Sequence, residues 1–279
     1  MRSDCSFVRA ANGLRFAYVE QGERDGPVAL MLHGYSDSHR SFDLLRPHLP
    51  ESWRVIAMTQ RGHGKSDKAQ DGYSVESMAA DVRAFLDALG VERAVLVGHS
   101  MGAAVALQAA ADIPGRVCGV VLIGGFANYR GNASVVELME EVAKFGDRLD
   151  PEFVLAFQES TLADMIPQSF LDLVVSESLR CPTHVWRAAL DGQLNASPLA
   201  AARRCIAPVA LIRGEWDAFV PHADQLALRD ALGSARLFTM RTTGHAPLWE
   251  RPEETANLIR GFVGELADAG ALLRDAVSG

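Results

Sequence analysis

The stretch Arg93-Ala94-Val95-Leu96-Val97-Gly98-His99-Ser100-Met101-Gly102 decides how this chain folds. It begins as an apolar run, ends in a Gly-x-Ser-x-Gly motif, and is followed by the alanine-rich residues 103–112. A serine at the tip of a tight turn between a strand and a helix has a strained backbone, so its neighbours must be small. Gly98 and Gly102 meet this requirement. The stretch therefore predicts a strand, a nucleophile elbow at Ser100 and a helix.

The segments on either side of this turn alternate between short aliphatic runs and helical patterns. The aliphatic runs lie at residues 7–10, 15–20, 28–32, 54–59, 94–97, 117–123, 209–213 and 236–240. Helical patterns occupy residues 75–89, 222–232 and 252–268. This alternation is typical of a parallel sheet with helices on both faces, and Asn12-Gly13 predicts an antiparallel hairpin at its start. The predicted fold class is α/β, with a mostly parallel eight-stranded sheet.

Residues 126–205 break the alternation. They lack a strand-like pattern and contain amphipathic helical segments that are interrupted by prolines, at Pro151, Pro167, Pro182 and Pro198. Because the sheet pattern resumes afterwards, the segment is better explained as a helical lid inserted into one domain than as a second domain. The predicted organisation is a core of residues 1–125 and 206–279 with a helical lid of residues 126–205.

Composition and charge restrict the class of protein. The chain has 279 residues, of which 48% are apolar and 22% are charged, as is ordinary for a globular protein. The formal net charge is -8 and the 27 Lys and Arg residues are scattered, so a nucleic-acid partner is not expected. No window approaches the roughly 18 apolar residues of a membrane helix, so we expect no membrane insertion.

Cysteine usage and the first residues indicate the compartment. The four cysteines are far apart and form no Cys-x-x-Cys pair, which is typical of reduced thiols in the cytosol. No apolar stretch near the start is long enough for a signal peptide, because Asp4 interrupts it. A cytoplasmic location is therefore predicted. No metal site is predicted either, since His and Cys do not occur at ligand spacing.

A serine hydroxyl is a poor nucleophile at neutral pH, and it needs a histidine base that a carboxylate orients. His245 is the candidate base, because it lies in the loop between the last predicted strand and the last helix. That loop belongs to the carboxyl edge of the sheet, where open α/β folds build their sites. Asp217 is the preferred acid, just past the preceding strand, and Glu215 is the competing candidate. The order Ser100, Asp217, His245 is the one expected for this elbow.

In these motifs the chain resembles the α/β-hydrolases, in the lid-bearing branch of esterases, lactonases and carbon-carbon hydrolases. Besides the elbow, the matching residues are His33-Gly34-Tyr35, Arg61-Gly62-His63-Gly64-Lys65-Ser66, Gly214-Glu215-Trp216-Asp217 and Gly244-His245 with Glu250-Arg251-Pro252-Glu253. The resemblance covers about residues 7–263 and implies an α/β-hydrolase fold. It also implies an oxyanion hole formed by the backbone amides of Tyr35 and Met101, acyl transfer to Ser100, and no cofactor.

The residue types around these motifs narrow the substrate. Relatives that attack carbon to form an alkyl ester have an Asp at the elbow, whereas Ser100 attacks a carbonyl group. Aromatic residues of the lid are candidates for the substrate pocket, namely Phe126, Tyr129, Phe157 and Trp186. No cluster of Lys or Arg is placed to hold a phosphate. We therefore expect an uncharged small-molecule ester or lactone with a modest apolar acyl group, cleaved by a monomer or homodimer.

Two other functions are compatible with the same motifs. One is a carbon-carbon bond hydrolase or a perhydrolase with the same triad. The carbon-carbon hydrolases commonly have Trp after the catalytic histidine, where this chain has Ala246. The other is a ligand receptor in signalling that hydrolyses slowly and binds a partner through its lid. Fast turnover of short esters without ligand-dependent partner binding would favour the ester hydrolase.

Overall fold

A computed structural model describes residues 5–130 and 132–272. In this part of the chain the strands are β1 (Ser6–Arg9), β2 (Arg15–Gln21), β3 (Val28–Leu32), β4 (Arg54–Met58), β5 (Ala94–His99), β6 (Val117–Ile123), β7 (Val209–Gly214) and β8 (Arg236–Met240). They form one eight-stranded sheet in the order β1-β2-β4-β3-β5-β6-β7-β8. β1 and β2 are antiparallel to their neighbours, and the remaining pairs are parallel. The predicted mostly parallel sheet is confirmed.

The helices of the core lie between these strands. They are α1 (Val75–Ala88), α2 (Met101–Asp112), α8 (His222–Leu232), the short α9 (Pro247–Glu250) and α10 (Pro252–Asp268). The Ser74 side chain caps α1 by accepting the Ser77 N–H, and Gly90 follows its end with a φ of 63°. Both signals are visible in the sequence, which explains why the predicted helix 75–89 is correct to one residue.

Two hydrophobic clusters cover the two faces of the sheet. Leu96 of β5 belongs to the cluster that contains α1 and α2, whereas Val95 and Val97 belong to the cluster that contains α10. Successive side chains of a strand point to opposite faces, so one strand supplies both clusters. β5 is buried along its whole length between β3 and β6, and its carboxyl end therefore lies at the centre of the sheet edge.

The segment between β6 and β7 consists of helices and connecting loops in its described residues. The helices are α3 (Ala133–Ala143), α4 (Pro151–Ser160), α5 (Gln168–Leu179), α6 (Thr183–Asn195) and α7 (Pro198–Arg204). The four prolines noted in the sequence lie at the first residue or the N-cap of a helix, where a missing N–H costs no hydrogen bond. α7 packs against α2 and α8 of the core. That the segment acts as a lid stays a prediction.

None of the helices in residues 5–130 and 132–272 combines the length and the apolar character that a bilayer crossing requires.

Candidate active site

Ser100 lies at a tight turn between β5 and α2. Its backbone has a φ of 51° and a ψ of -114°, a conformation that residues with a side chain rarely adopt. A Cβ on Gly98 would lie 2.2 Å from the Gly102 carbonyl oxygen, and one on Gly102 would lie 2.1 Å from the Leu32 carbonyl oxygen. Both glycines are therefore required by close backbone contact. The turn has the geometry that the Gly-x-Ser-x-Gly motif predicts.

The structure brings Ser100, His245 and Asp217 together. The Oγ of Ser100 lies 2.8 Å from the Nε2 of His245, and the Nδ1 of His245 lies 2.8 Å from Oδ2 of Asp217. Because the Asp217 carboxylate only accepts hydrogen bonds, Nδ1 carries the proton and Nε2 is free to accept the Ser100 proton. The three side chains thus form a hydrogen-bonded chain at the carboxyl edge of the sheet, two of whose members come from loops far along the sequence.

Backbone amides fix the Asp217 carboxylate in place. Its Oδ1 accepts hydrogen bonds from the N–H groups of Phe219, at 2.8 Å, and Val220, at 2.9 Å. Burial by itself would raise the pKa of Asp217, but His245 and these hydrogen bonds outweigh it and lower that pKa below its usual value. The competing acid, Glu215, is exposed and accepts a hydrogen bond from the Thr242 N–H instead. The carboxylate beside His245 is therefore that of Asp217.

The loop that carries His245 is held by a second carboxylate. Oε1 of Glu250 accepts the Gly244 N–H at 2.8 Å, and Oε2 accepts the N–H groups of residues 163–164 at 3.1 and 2.9 Å. The His245 N–H itself donates to the Thr161 carbonyl oxygen at 2.8 Å. Sequence reasoning gave Glu250 no role, although it lies in the run Glu250-Arg251-Pro252 that follows the histidine motif. The loop between α4 and α5 and the histidine loop therefore form one hydrogen-bonded unit.

Of the two predicted oxyanion-hole residues, Met101 directly follows Ser100 in the chain and Tyr35 lines the same cavity as Ser100. Met101 is the first residue of α2, so its N–H has no acceptor within the helix. In the described part of the chain, neither the Met101 N–H nor the Tyr35 N–H has a hydrogen-bond partner. The Tyr35 ring is fixed by a 2.6 Å hydrogen bond from its hydroxyl to the Trp186 carbonyl oxygen. Both amides thus lack an acceptor among the described residues, and their role as an oxyanion hole stays a prediction.

A cavity opens above Ser100 and His245. Its apolar wall comes from the sheet edge and the helical segment, with Tyr35, Tyr129, Val135, Leu138, Phe157, Leu190 and Phe219. Its polar positions are fewer, with Asp37, His99, Gln158, Thr161 and Gln193. A mostly apolar cavity with a few polar groups is the usual form of a site for a small organic ligand.

The four predicted pocket residues divide into two layers. Tyr129 and Phe157 line the cavity, whereas Phe126 and Trp186 lie behind its wall. The Phe126 ring stacks on Tyr129 with centroids 3.6 Å apart, and the Trp186 ring lies 5.0 Å from Tyr35 and 5.5 Å from Phe157. Phe126 and Trp186 are among the largest fully buried side chains, so they support the ligand-facing rings and make no wall of their own.

Tyr129 also approaches the nucleophile. Its hydroxyl oxygen lies 3.4 Å from the Oγ of Ser100. Burial raises the pKa of Tyr129 far above its usual value, so the phenol stays neutral and keeps its proton. Because the Ser100 hydroxyl donates to Nε2 of His245, the neutral phenol of Tyr129 is the group that can donate to Oγ, and it is not a base. Sequence reasoning placed it in the pocket but not at this distance.

The arrangement supplies a nucleophile, a base, an orienting carboxylate and free amides at one point. This set of groups suits acyl transfer, in which the serine oxygen attacks a carbonyl carbon. Among the residues that the structure describes, no group of three or more His, Cys, Asp or Glu side chains is placed to hold a metal ion.

Comparisons with known proteins point to one family. Residues 27–252 match the family model of the alpha/beta hydrolase fold. A pimeloyl-[acyl-carrier protein] methyl ester esterase of Neisseria meningitidis serogroup C is 30% identical over 84% of this chain and 92% of its own length. A non-heme chloroperoxidase of Streptomyces lividans is 29% identical over 88% of this chain and 95% of its own length. A solved esterase from Exiguobacterium antarcticum has a TM-score of 0.84 at 21% identity, covering 93% of this chain and 99% of the other.

The family model spans well over half of the chain, so this protein belongs to the α/β hydrolase fold family. It is an enzyme of the hydrolase class, in a family whose members include esterases. The solved esterase shares the fold with this chain at low sequence identity.

Proposed function

We propose that this protein is a serine hydrolase that cleaves a carboxylic ester or lactone through an acyl-enzyme. The observation that carries the proposal is the continuous hydrogen-bonded chain from Ser100 through His245 to Asp217, with both distances at 2.8 Å. Such a chain activates a hydroxyl that is otherwise unreactive at neutral pH. The relative named a methyl ester esterase supports the ester as the bond cleaved.

The reaction begins when the Ser100 oxygen attacks the carbonyl carbon and its proton passes to Nε2 of His245. The negative charge that develops on the carbonyl oxygen binds to the N–H groups of Tyr35 and Met101, each contributing roughly 3 kcal/mol. Asp217 stabilises the imidazolium, which then donates its proton to the leaving alkoxide. A water molecule, deprotonated by His245, attacks the acyl-enzyme and releases the carboxylic acid and the free serine.

The cavity favours an uncharged acyl group of modest size. Its wall beside Ser100 is made of aromatic and aliphatic side chains, and Lys and Arg are absent from the lining formed by the described residues. A phosphate or another anionic tail would lose its hydration there without finding a cation. The helices between β6 and β7 supply part of that wall, so we propose that they act as the lid of the site.

The test is covalent labelling with a fluorophosphonate, which reacts with activated serines. We expect one label at Ser100 in the folded protein, located by peptide mass spectrometry, and none in Ser100→Ala. Hydrolysis of p-nitrophenyl acetate and butyrate by the wild type, absent in Ser100→Ala, would complete the assignment. Folded protein that neither labels nor hydrolyses esters or lactones would overturn it.

Perhydrolysis is a second candidate function. The observation that favours it is the relative named a non-heme chloroperoxidase, which matches this chain along nearly its whole length. In this reaction hydrogen peroxide replaces water as the attacking group, and the acyl-enzyme yields a peracid and the free serine. Peracid formation from acetate esters and hydrogen peroxide at a rate above ester hydrolysis would favour this function over the first.

Two further hypotheses follow from the same motifs. A carbon-carbon hydrolase would act on diketones with the same residues, and slow turnover with a ligand-dependent protein partner would indicate a signalling receptor. Comparing the turnover of esters with that of diketones distinguishes the ester hydrolase from the carbon-carbon hydrolase. The value of kcat for esters distinguishes it from the signalling receptor. We also propose that the enzyme works in the cytoplasm, for which the free state of its four cysteines is the support, and that it is a monomer or homodimer.

A further inference from the structure

The side chains of Asp37 and His99 lie beside the α-carbon of Gly34 in the cavity that holds Ser100, and we call the part of the cavity next to them the polar space. A Cβ on that glycine would lie 2.9 Å from Nδ1 of His99 and 3.1 Å from Oδ2 of Asp37. Both polar atoms therefore pack closely against the α-carbon of Gly34, which is possible because Gly34 has no side chain. These three residues and Ser100 all line the same cavity. The proposed mechanism uses neither polar side chain.

His99 offers an unused hydrogen-bond acceptor to this space. Its Nε2 lies 3.0 Å from the carbonyl oxygen of His245, and because a carbonyl oxygen only accepts, Nε2 carries the proton. Its Nδ1 is buried and has no partner among the described residues. Burial, together with the nearby His245, lowers the pKa of His99 to about 3, so the ring is neutral and Nδ1 keeps its lone pair.

Asp37 offers a second acceptor. Oδ1 accepts from Nε2 of Gln158 and Oδ2 accepts from Oγ of Ser41, both at 3.2 Å, which leaves each oxygen with a free lone pair. The residue is 3% exposed. Burial raises the pKa of Asp37 to about 7, against the opposing effect of these hydrogen bonds, so protonated and ionised forms coexist near neutral pH.

Buried acceptors without a donor are costly, so the space favours a group that donates. A carbonyl or carboxylate group could accept only the proton of neutral Asp37, and it would leave Nδ1 of His99 without a donor. An amino group has a proton for each acceptor. A hydroxyl group donates to one of them and can accept the proton of the neutral Asp37.

We propose that Asp37 and His99 form a specificity subsite that binds a hydrogen-bond-donating substituent of the substrate, a hydroxyl or an amino group. This inference rests on the proposed function, because it names a feature of the ester or lactone that Ser100 attacks. The apolar wall takes the carbon skeleton, and the subsite selects among skeletons of similar size by their polar substituent.

The test uses p-nitrophenyl phenylalkanoates whose rings carry a hydroxyl, amino, methyl or carboxylate group at each ring position and at several spacer lengths. For at least one geometry we expect kcat/KM of the hydroxyl or amino ester to exceed that of its methyl analogue by about tenfold. The carboxylate ester should be the poorest. The subsite would be overturned if, at every geometry, kcat/KM of the ester with a ring methyl group equalled or exceeded that of both donor-bearing esters.

A variant assigns the preference to Asp37. In Asp37→Asn the carboxamide can donate its own N–H into the space. The kcat/KM of the donor-bearing ester, divided by that of its ring-methyl analogue, should therefore fall several-fold toward one. The matched control is Asp172→Asn, an exposed position on α5, which should keep the wild-type ratio. An unchanged ratio in Asp37→Asn contradicts the proposal. If that variant does not fold, the wild-type substrate series still decides.

Binding without turnover separates this inference from the proposed function. Ketones that match the same esters are titrated calorimetrically into Ser100→Ala. If the ketone with a ring hydroxyl or amino group binds more tightly than the one with a ring methyl group, the subsite is supported even when no ester is hydrolysed. In that case only the proposed function fails. If all ketones of every matched set bind equally and the wild type hydrolyses the esters, the subsite proposal is overturned and the proposed hydrolase function stands.

Discussion

Nε2 of His245 lies 2.8 Å from Oγ of Ser100, although 145 residues separate them along the chain. Each residue reaches this point from the carboxyl end of a parallel strand, Ser100 directly after β5 and His245 in the loop after β8. Parallel strands bring their carboxyl ends to one edge of a sheet, so residues distant in sequence meet there.

The Asp217 carboxylate should control the activity of His245. In Asp217→Asn the amide no longer stabilises the imidazolium and favours the wrong histidine tautomer, so kcat for p-nitrophenyl butyrate should fall by about 10³–10⁴-fold. KM should change little. The matched control is Glu215→Gln, two residues earlier, whose exposed side chain does not contact His245. If Glu215→Gln were the more damaging change, the acid would be misassigned.

The Tyr129 hydroxyl should contribute to the reaction and not to binding. Tyr129→Phe keeps the stacked ring and removes the oxygen 3.4 Å from Ser100 Oγ, so we expect kcat to fall several-fold with KM nearly constant. The rate of fluorophosphonate labelling should fall in parallel. Tyr18→Phe on β2, remote from the cavity lining, is the control. A rise in KM at constant kcat would show that the hydroxyl only binds substrate.

Glu250 should act through the position of His245. Glu250→Ala removes the acceptor of the Gly244 N–H and of two N–H groups at residues 163–164, so unfolding free energy should fall by about 2–3 kcal/mol. Because the histidine loop loses its support, kcat should fall as well. Glu250→Gln keeps one oxygen acceptor and should recover part of both losses. Glu254→Ala, exposed on α10, is the control.

A purely global effect of Glu250 would have a different result. If activity per folded molecule, measured well below the melting temperature, were unchanged in Glu250→Ala, then the residue would stabilise the fold without positioning His245.

The buried Asp37 should make stability depend on pH. Burial raises its pKa from 3.8 to about 7, with Glu177 adding to the shift and His245, Gln158 and Ser41 opposing it. The folded state therefore favours the protonated carboxyl. The associated stability is present below pH 3.8 and is lost as the pH rises toward 7. Asp37→Asn should accordingly gain stability relative to the wild type between pH 5 and pH 8, by up to about 4 kcal/mol.

Urea unfolding of both proteins across that pH range measures this difference. A difference that is flat with pH would mean that Asp37 is ionised in the folded protein as readily as in water. A difference of opposite sign would mean that a cation or donor stabilises its charge.

Much of the fold follows from local sequence. The strand β5, the turn at Ser100 and the helix α2 depend on an apolar run, two glycines and an alanine-rich segment, all within one short stretch. The cap Ser74 and the stop Gly90 fix α1 in the same way. Such signals are readable because they act between neighbours in the chain. The candidate residues of the triad follow from the same kind of signal, because each comes soon after a strand, namely β5, β7 or β8.

The lining of the cavity and the role of Glu250 depend on packing between segments that are far apart in the sequence. Phe126 and Trp186 were predicted to line the pocket together with Tyr129 and Phe157. Aromatic character alone does not distinguish a residue that lines the cavity from one that packs behind the lining. The role of Glu250 depends on backbone N–H groups of a loop far away in the chain. No sequence periodicity and no local motif indicates such contacts.

The sequence by itself determined that a serine would stand at a strained turn on the edge of a parallel sheet, because backbone sterics and strand periodicity act over a few residues. Tertiary structure alone decided that Asp37 and His99 lie together beside Gly34, and that Glu250 joins the histidine loop to residues 163–164. Burial and distance between remote segments give these groups their chemistry, and neither property exists until the chain has folded.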